Sequence, residues 1–279
     1  MLRPHRGQAL RAENFPQTAA FERVDMGRFT GRHVVVTGGG VGIGRAIAER
    51  LAAEGATLTL LARELERLRT VADALGAHAG ACDIRNRGQV DLAFAAAAAA
   101  QGPFHALVAN SGIGGPNDDG PGDRFDDLVQ TNLAGTYYCV LATLRHLAEG
   151  PATRHLVVIA SILARIAVPG YTGYSASKAG LLGLVRSLAA ELAPENVQAN
   201  AICPGWIDTD MAWQGLDLYA AATGGTREDA YREAMREVPL GRMGRPEDVA
   251  GTVAWLLSDD ARGVTGQTID QNGGAWVGA

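Results

Sequence analysis

Cysteine is scarce in this chain: Cys82, Cys139 and Cys203 are the three thiols in 279 residues. None lies in a CxxC or Cys/His pattern, so neither a disulfide framework nor a structural zinc site is expected. The thiols read as small core residues in a reduced, cytoplasmic setting. The six histidines are scattered too, and no metal site is expected. An excess of positive charge is missing as well. Lys and Arg total 25 against 30 Asp and Glu, a net charge of -5, which argues against a nucleic-acid or anionic-membrane partner. No apolar run is long enough to span a bilayer. The N-terminal stretch MLRPHRGQALRAENFPQ has no apolar core, so no secretory signal is expected.

Hydrophobic residues make up 47% of the chain and charged residues 20%, the balance of a globular protein with a real core. Residues 1–28 stand apart as a polar extension containing Pro4 and Pro16, and Met26 is an alternative start. Beyond them, short apolar runs alternate with helical patterns. Strands are expected at 33–37, 57–62, 77–82, 104–110, 155–161, 197–203 and 266–271. Helices are expected at 43–54, 64–75, 87–101, 124–148, 174–193 and 246–258. Residues 206–241 carry no strong strand and read as an inserted lid with one or two helices. Strict alternation predicts an α/β, doubly wound parallel sheet covered on both faces. With no linker or repeat, residues 29–279 read as a single domain.

Between the first strand and first helix lies TGGGVGIG, residues 37–44. A glycine turn there brings backbone close to a ligand, and the helix start offers unpaired N–H groups to a pyrophosphate. The pattern differs by one residue from G-x-G-x-x-G. The second strand ends Leu61-Ala62-Arg63, with no acid to hold ribose hydroxyls and a guanidinium suited to a 2′-phosphate. NADP(H) is therefore preferred, with NAD(H) as the alternative. Glu64 beside Arg63 and uncharged Val41 in the turn stand against the phosphate.

Tyr174-Ser-Ala-Ser-Lys178 opens a helix, and a spacing of four sets Tyr174 and Lys178 on one face. A cation one turn from the phenol is expected to lower its pKa. Ser161 ends the fifth strand, at the carboxyl edge where such sheets bind ligands. Its hydroxyl is expected to hold a substrate oxygen near Tyr174.

In order along the chain stand TGGGVGIG, Asp83, Asn110-Ser111-Gly112, Asn132, Ser161, Tyr174-x-x-x-Lys178 and Pro204-Gly205 followed by Thr209. On these motifs the chain resembles a short-chain dehydrogenase/reductase over residues 29–276. The branch it resembles includes 3-oxoacyl-carrier-protein reductases and polyketide ketoreductases. Ser111, for the usual alanine, and Ala164, for a frequent glycine, are minor departures. The resemblance implies a Rossmann fold with a seven-stranded parallel sheet and a homotetramer or dimer. It implies that Tyr174 exchanges the proton, Ser161 orients the carbonyl, Lys178 depresses the Tyr174 pKa and holds the nicotinamide ribose, and Asn132 holds a relay water. Gly38, Gly40, Val41, Gly42, Ile43 and Gly44 would cradle the cofactor. Arg63, Asp83 and Ile84 would meet its adenosine end, with Asp83 on the adenine. Asn110 and Gly112 would line its middle. Pro204, Gly205, Ile207 and Thr209 would surround the carboxamide beside Tyr174 and Lys178.

The substrate wall is expected from Leu163, Tyr171, Trp206, Met211 and Trp213, an apolar and aromatic set. Leu163 and Gly114 offer no anchor for a small carboxylate. The expected reaction is hydride transfer between NADP(H) and a ketone or secondary alcohol with a sizeable apolar or aromatic part, or a 3-oxoacyl thioester. An NAD-dependent alcohol dehydrogenase working oxidatively is the alternative. A dinucleotide-sensing protein without catalysis is the alternative of another class.

Overall fold

The β-branched, apolar strands build one seven-stranded sheet, in which each strand's alternate residues pack to opposite faces. The computed structural model describes residues 27–117 and 120–278. The strands are β1 (His33–Thr37), β2 (Thr57–Ala62), β3 (His78–Ala81), β4 (Ala106–Ala109), β5 (Arg154–Ile159), β6 (Val197–Pro204) and β7 (Thr268–Gln271). All pairings are parallel, in the order β3-β2-β1-β4-β5-β6-β7. The chain reverses its direction of travel between β1 and β4. That is the switch point where a crevice opens at the carboxyl edge.

On one face, Val34, Val36, Leu60 and Val108 pack against Ile47 and Leu51 of α1 (Gly42–Ala53), Leu68 of α2 (Leu65–Leu75) and Val253 of α9 (Pro246–Leu256). On the other, Val35, Leu107 and Leu156 meet Phe94 of α3 (Arg87–Gln101), Val140 of α5 (Thr136–Leu144) and Val185 of α6 (Thr172–Leu192). Sandwiching the sheet this way removes both of its apolar faces from water. The three cysteines are free and buried.

Three expectations need correction. The helix expected over 124–148 is interrupted. A short α4 (Phe125–Val129) passes into a π-helical segment, Gln130–Gly135, before α5. A single π turn keeps the backbone helical, and residue type alone does not distinguish i→i+5 from i→i+4 bonding. The stretch also ends at Leu144, because Leu147 turns out to bridge Phe104. The polar extension is outside the described residues up to 26, but Arg28 is docked. It forms an ion pair with buried Glu54 at 2.6 Å, and Phe29 next to it is fully buried. Smaller differences lie at strand ends: β3, β4 and β7 are shorter than expected, and β5 stops at Ile159, so Ser161 follows the strand and does not end it.

The inserted stretch holds two helices, α7 (Asp210–Thr223) and α8 (Arg227–Arg236), joined over a small core of Leu216, Ala220, Ala230 and Met235. Thr226 and Asp229 form a reciprocal capping box that starts α8.

Candidate active site

The glycine turn leads directly from β1 into α1. Gly38 has φ 68°, a left-handed conformation that glycine adopts without a Cβ penalty. Gly44 is required by proximity: a methyl carbon there would lie 2.1 Å from the Gly38 carbonyl oxygen and 2.5 Å from Asn110 Nδ2. Asn110 closes the turn from β4 by donating Nδ2 to the carbonyls of Thr37 and Gly38, both at 3.2 Å. Thr37 Oγ1 in turn accepts the Asn110 and Ser111 amides. Val41 precedes α1 with no side-chain cap. The first-turn N–H groups and the positive end of the helix are thus left for an anion. Gly40 lies against Leu68, and Ile43 packs on the core behind the turn. This cradle fits a dinucleotide pyrophosphate.

The adenosine end is formed where β2 and β3 stop. Arg63 is exposed there and acts electrostatically on Asp83. Asp83 is not free to face a ligand on its own. Arg85 holds its carboxylate with Nη2 at 2.7 Å and Nε at 3.0 and 3.1 Å. That grip keeps the Asp83 pKa below the usual carboxylate range. Ile84 is buried and lies against Gly135 of the π segment.

Ser161 lies two residues beyond β5 and caps a short 3₁₀ turn, Ile162–Ala164, accepting the Leu163 amide at 3.2 Å. Tyr174 and Lys178 come from the first turns of α6. Lys178 Nζ is 5.8 Å from the centre of the Tyr174 ring and donates to the Ile159 carbonyl at 2.9 Å. Asn132 comes from the π segment. A methyl carbon at Gly112 would be 3.0 Å from Asn132 Oδ1 and 3.5 Å from Lys178 Nζ, so these groups converge on one chamber.

One expected electrostatic role, the lowering of the Tyr174 pKa by Lys178, differs from what this arrangement provides. The phenol pKa is raised, not lowered: burial is the largest cause, and the Ser161 hydroxyl beside it acts the other way. Lys178 is itself buried and its pKa is lowered to about 8, because desolvation disfavours its charge. The Asn132 amide is already occupied. Oδ1 accepts the Ile113 amide at 2.9 Å, and Nδ2 donates to Ile113 O and Ser177 Oγ, both at 3.0 Å. Its side chain therefore ties the β4 loop to α6.

Ser177 was not singled out from the sequence, although it stands within Tyr174-Ser-Ala-Ser-Lys178. It is fully buried and donates to the Tyr174 carbonyl at 2.7 Å. It thereby joins Asn132 to the helix that carries Tyr174 and Lys178.

The expected substrate wall is divided. Met211 approaches Gly114, where a methyl carbon would be 3.2 Å from Met211 Sδ and 3.9 Å from Tyr174 Cε2. Tyr171 meets Tyr174 edge to face at 6.5 Å, and Leu163 adjoins Ser161. Trp213 is committed inside the lid. It stacks on Tyr231 at 5.8 Å, takes the Arg227 guanidinium on its face and donates Nε1 to Asp208 at 2.7 Å. Trp206 packs on the same small core. Aromatic area buried between α7 and α8 outweighs its use at a pocket wall. Pro204 and Gly205 end β6, with Gly205 tight against Asn272, and Ile207 is buried. Thr209 caps α7 and reaches Gly42, whose added methyl would be 3.1 Å from Thr209 Cγ2. The lid root thus spans from the glycine turn to the β4 loop. Among the described residues no helix is long and apolar enough to cross a membrane, and no group of His, Cys, Asp and Glu could hold a metal.

A glycine cradle at the switch point with a Ser-Tyr-Lys chamber beside it defines a nicotinamide-dependent oxidoreductase. Comparison with known proteins narrows the class. A family described as enoyl-(acyl carrier protein) reductase matches residues 38–275. The 3-oxoacyl-[acyl-carrier-protein] reductase MabA of Mycobacterium bovis is 34% identical over 259 residues, covering 90% of this chain and 95% of its own. FabG of Escherichia coli, with the same activity in its name, is 32% identical over 256 residues, covering 89% and 99%. A single-substitution variant of actinorhodin polyketide ketoreductase, solved with NADPH, superposes with a TM-score of 0.82 at 33% identity, over 88% of this chain and 97% of that one. The chain belongs to the short-chain dehydrogenase/reductase family, and is an oxidoreductase acting on CH–OH and keto groups.

Proposed function

We propose that this enzyme is an NADPH-dependent ketoreductase, forming a secondary alcohol from an apolar or aromatic ketone or a 3-oxoacyl thioester. The observation that carries the reading is the convergence of Ser161, Tyr174 and Lys178 at the end of β5, next to the glycine cradle. Bound in that cradle, the nicotinamide would supply the hydride. The Ser161 hydroxyl donates to the substrate carbonyl oxygen and orients it. Tyr174 passes its proton to that oxygen as negative charge develops. Burial keeps the phenol protonated at neutral pH, the state a proton donor requires. Lys178 has donors left after binding Ile159 O, and its charge stabilises the phenolate left behind. Asn132 and Ser177 hold the β4 loop against α6.

Arg63 supports the preference for a 2′-phosphate, and the NADPH in the similar ketoreductase agrees with it. Met211, Leu163 and Tyr171 present an apolar surface beside Tyr174, which supports the substrate class. Residues 29–279 act in this reading as one catalytic domain with its lid at 206–241, in a cytoplasmic homo-oligomer. The test is oxidation of NADPH and NADH followed at 340 nm with aliphatic ketones, aromatic ketones, a 3-oxoacyl thioester and an enoyl thioester. Turnover of ketones or the 3-oxoacyl thioester with NADPH is expected. Turnover of the enoyl thioester alone, or a strong NADH preference, refutes the reading.

A further inference from the structure

Arg85 lies on the loop after β3 and belongs to none of the motifs above, yet its contacts connect two parts of the site. Its side chain grips both oxygens of Asp83, and its own amide donates to Asp83 Oδ1 at 3.0 Å. On its other side Nη1 donates to Asp127 Oδ1 of α4 at 3.1 Å. Its carbonyl accepts Gln130 Nε2 at 3.3 Å, at the start of the π segment that carries Asn132. Ile84 presses on Gly135 in the same segment. The β3 loop is therefore fastened to the α4–π unit at three places, and the guanidinium is stretched between two carboxylates.

We infer that Arg85 is a positioning residue that aims the Asp83 carboxylate at the amino group of the cofactor's adenine. The inference rests on Asp83 being the adenine contact. An ionised carboxylate has about four lone-pair positions. Three donors of Arg85, the backbone N–H, Nε and Nη2, take up most of them and fix the plane of the group. What remains is an acceptor with a set direction. An exocyclic amine donates and matches it, whereas a carbonyl oxygen in the same place repels it. Asp127 braces the far end of the guanidinium, so the aim does not depend on a freely rotating side chain.

Hypoxanthine has a carbonyl where adenine has its amine and an N1–H where adenine has an acceptor nitrogen, and the nucleotide is otherwise the same. The experiment compares equilibrium binding of NADPH and of reduced nicotinamide hypoxanthine dinucleotide phosphate, by cofactor fluorescence, to wild type, Arg85→Met and Asp83→Ala. Wild type is expected to prefer NADPH by about tenfold, the scale of one hydrogen bond to a charged group. Arg85→Met is expected to bring the ratio near one, and Asp83→Ala to do the same. The Arg85 side chain is 40% exposed, so the methionine variant is expected to keep the wild-type far-UV spectrum. A purely structural loss would weaken both ligands together and leave the ratio unchanged. An unchanged ratio in Arg85→Met, with the ratio lost in Asp83→Ala, overturns the role of Arg85. No preference in wild type, or one that survives Asp83→Ala, overturns the adenine contact itself.

Discussion

His155 predicts a defined loss of stability in mild acid. It lies on β5 on the same face as Val157 and Ile159, the face that packs against α9. The residue is 2% exposed, and neither ring nitrogen has a hydrogen-bond partner. Burial, with a smaller repulsion from Arg32, pushes its pKa from 6.5 down to about 4, while Asp259 pulls weakly the other way. Above pH 6.5 the ring is neutral whether the chain is folded or unfolded, and contributes no pH dependence. Between 6.5 and about 4 the unfolded chain takes up a proton that the folded one refuses, so stability falls as pH falls. The full difference corresponds to about 3 kcal/mol, of which about 2 kcal/mol is lost between pH 7 and pH 5. His33 and His105 have lowered pKa values too and add their own slopes, so the comparison must be with a variant. His155→Leu removes this titration and the orphaned ring nitrogens. Urea unfolding followed by circular dichroism at pH 7 and pH 5 is expected to show about 2 kcal/mol less acid loss in the variant than in wild type. Equal losses in the two proteins would refute the assignment of a neutral, unpartnered imidazole.

Four further outcomes are expected. Tyr174→Phe lowers kcat by about 10²–10⁴-fold and leaves NADPH binding within about twofold, read by steady-state rates and fluorescence titration; near-normal turnover excludes Tyr174 as proton donor. Gly44→Ala forces a methyl against the Gly38 carbonyl and weakens cofactor binding by roughly ten- to a hundredfold at an overpacking cost of about 1–3 kcal/mol, measured by calorimetry. Arg63→Asp reduces the NADPH-over-NADH ratio of kcat/KM by about tenfold or more, and an unchanged ratio removes Arg63 from the 2′-phosphate. Met211→Ala opens the space over Gly114 and raises kcat/KM for bulky ketones relative to small ones by roughly tenfold, checked with paired substrates.

Residues that act through neighbours in the chain were legible before any coordinates. The strand at His33–Thr37 and the helix at Arg87–Gln101 follow from a short β-branched apolar run and from alanine content, which are local properties. The glycine turn, the acid-free end of β2 and the four-residue spacing of Tyr174 and Lys178 are local as well. Met211 and Trp213 were equally plausible pocket residues on sequence grounds. One reaches Gly114 and the other is stacked on Tyr231, because the way α8 folds back on α7 is not written in their spacing.

Strand–helix alternation thus pointed to the parallel sheet and to the glycine turn after its first strand, whereas the Ser-Tyr-Lys set was legible only through the ordered motifs and the family they resemble. Only the tertiary structure decided how those groups are charged and held. The raised Tyr174 pKa and lowered Lys178 pKa come from burial beneath distant segments. The commitment of Asn132 to Ile113 and Ser177, and of Arg85 to Asp83 and Asp127, joins side chains across the fold. Desolvation and long-range hydrogen bonding depend on what packs against a group, and that is settled only when the layers close.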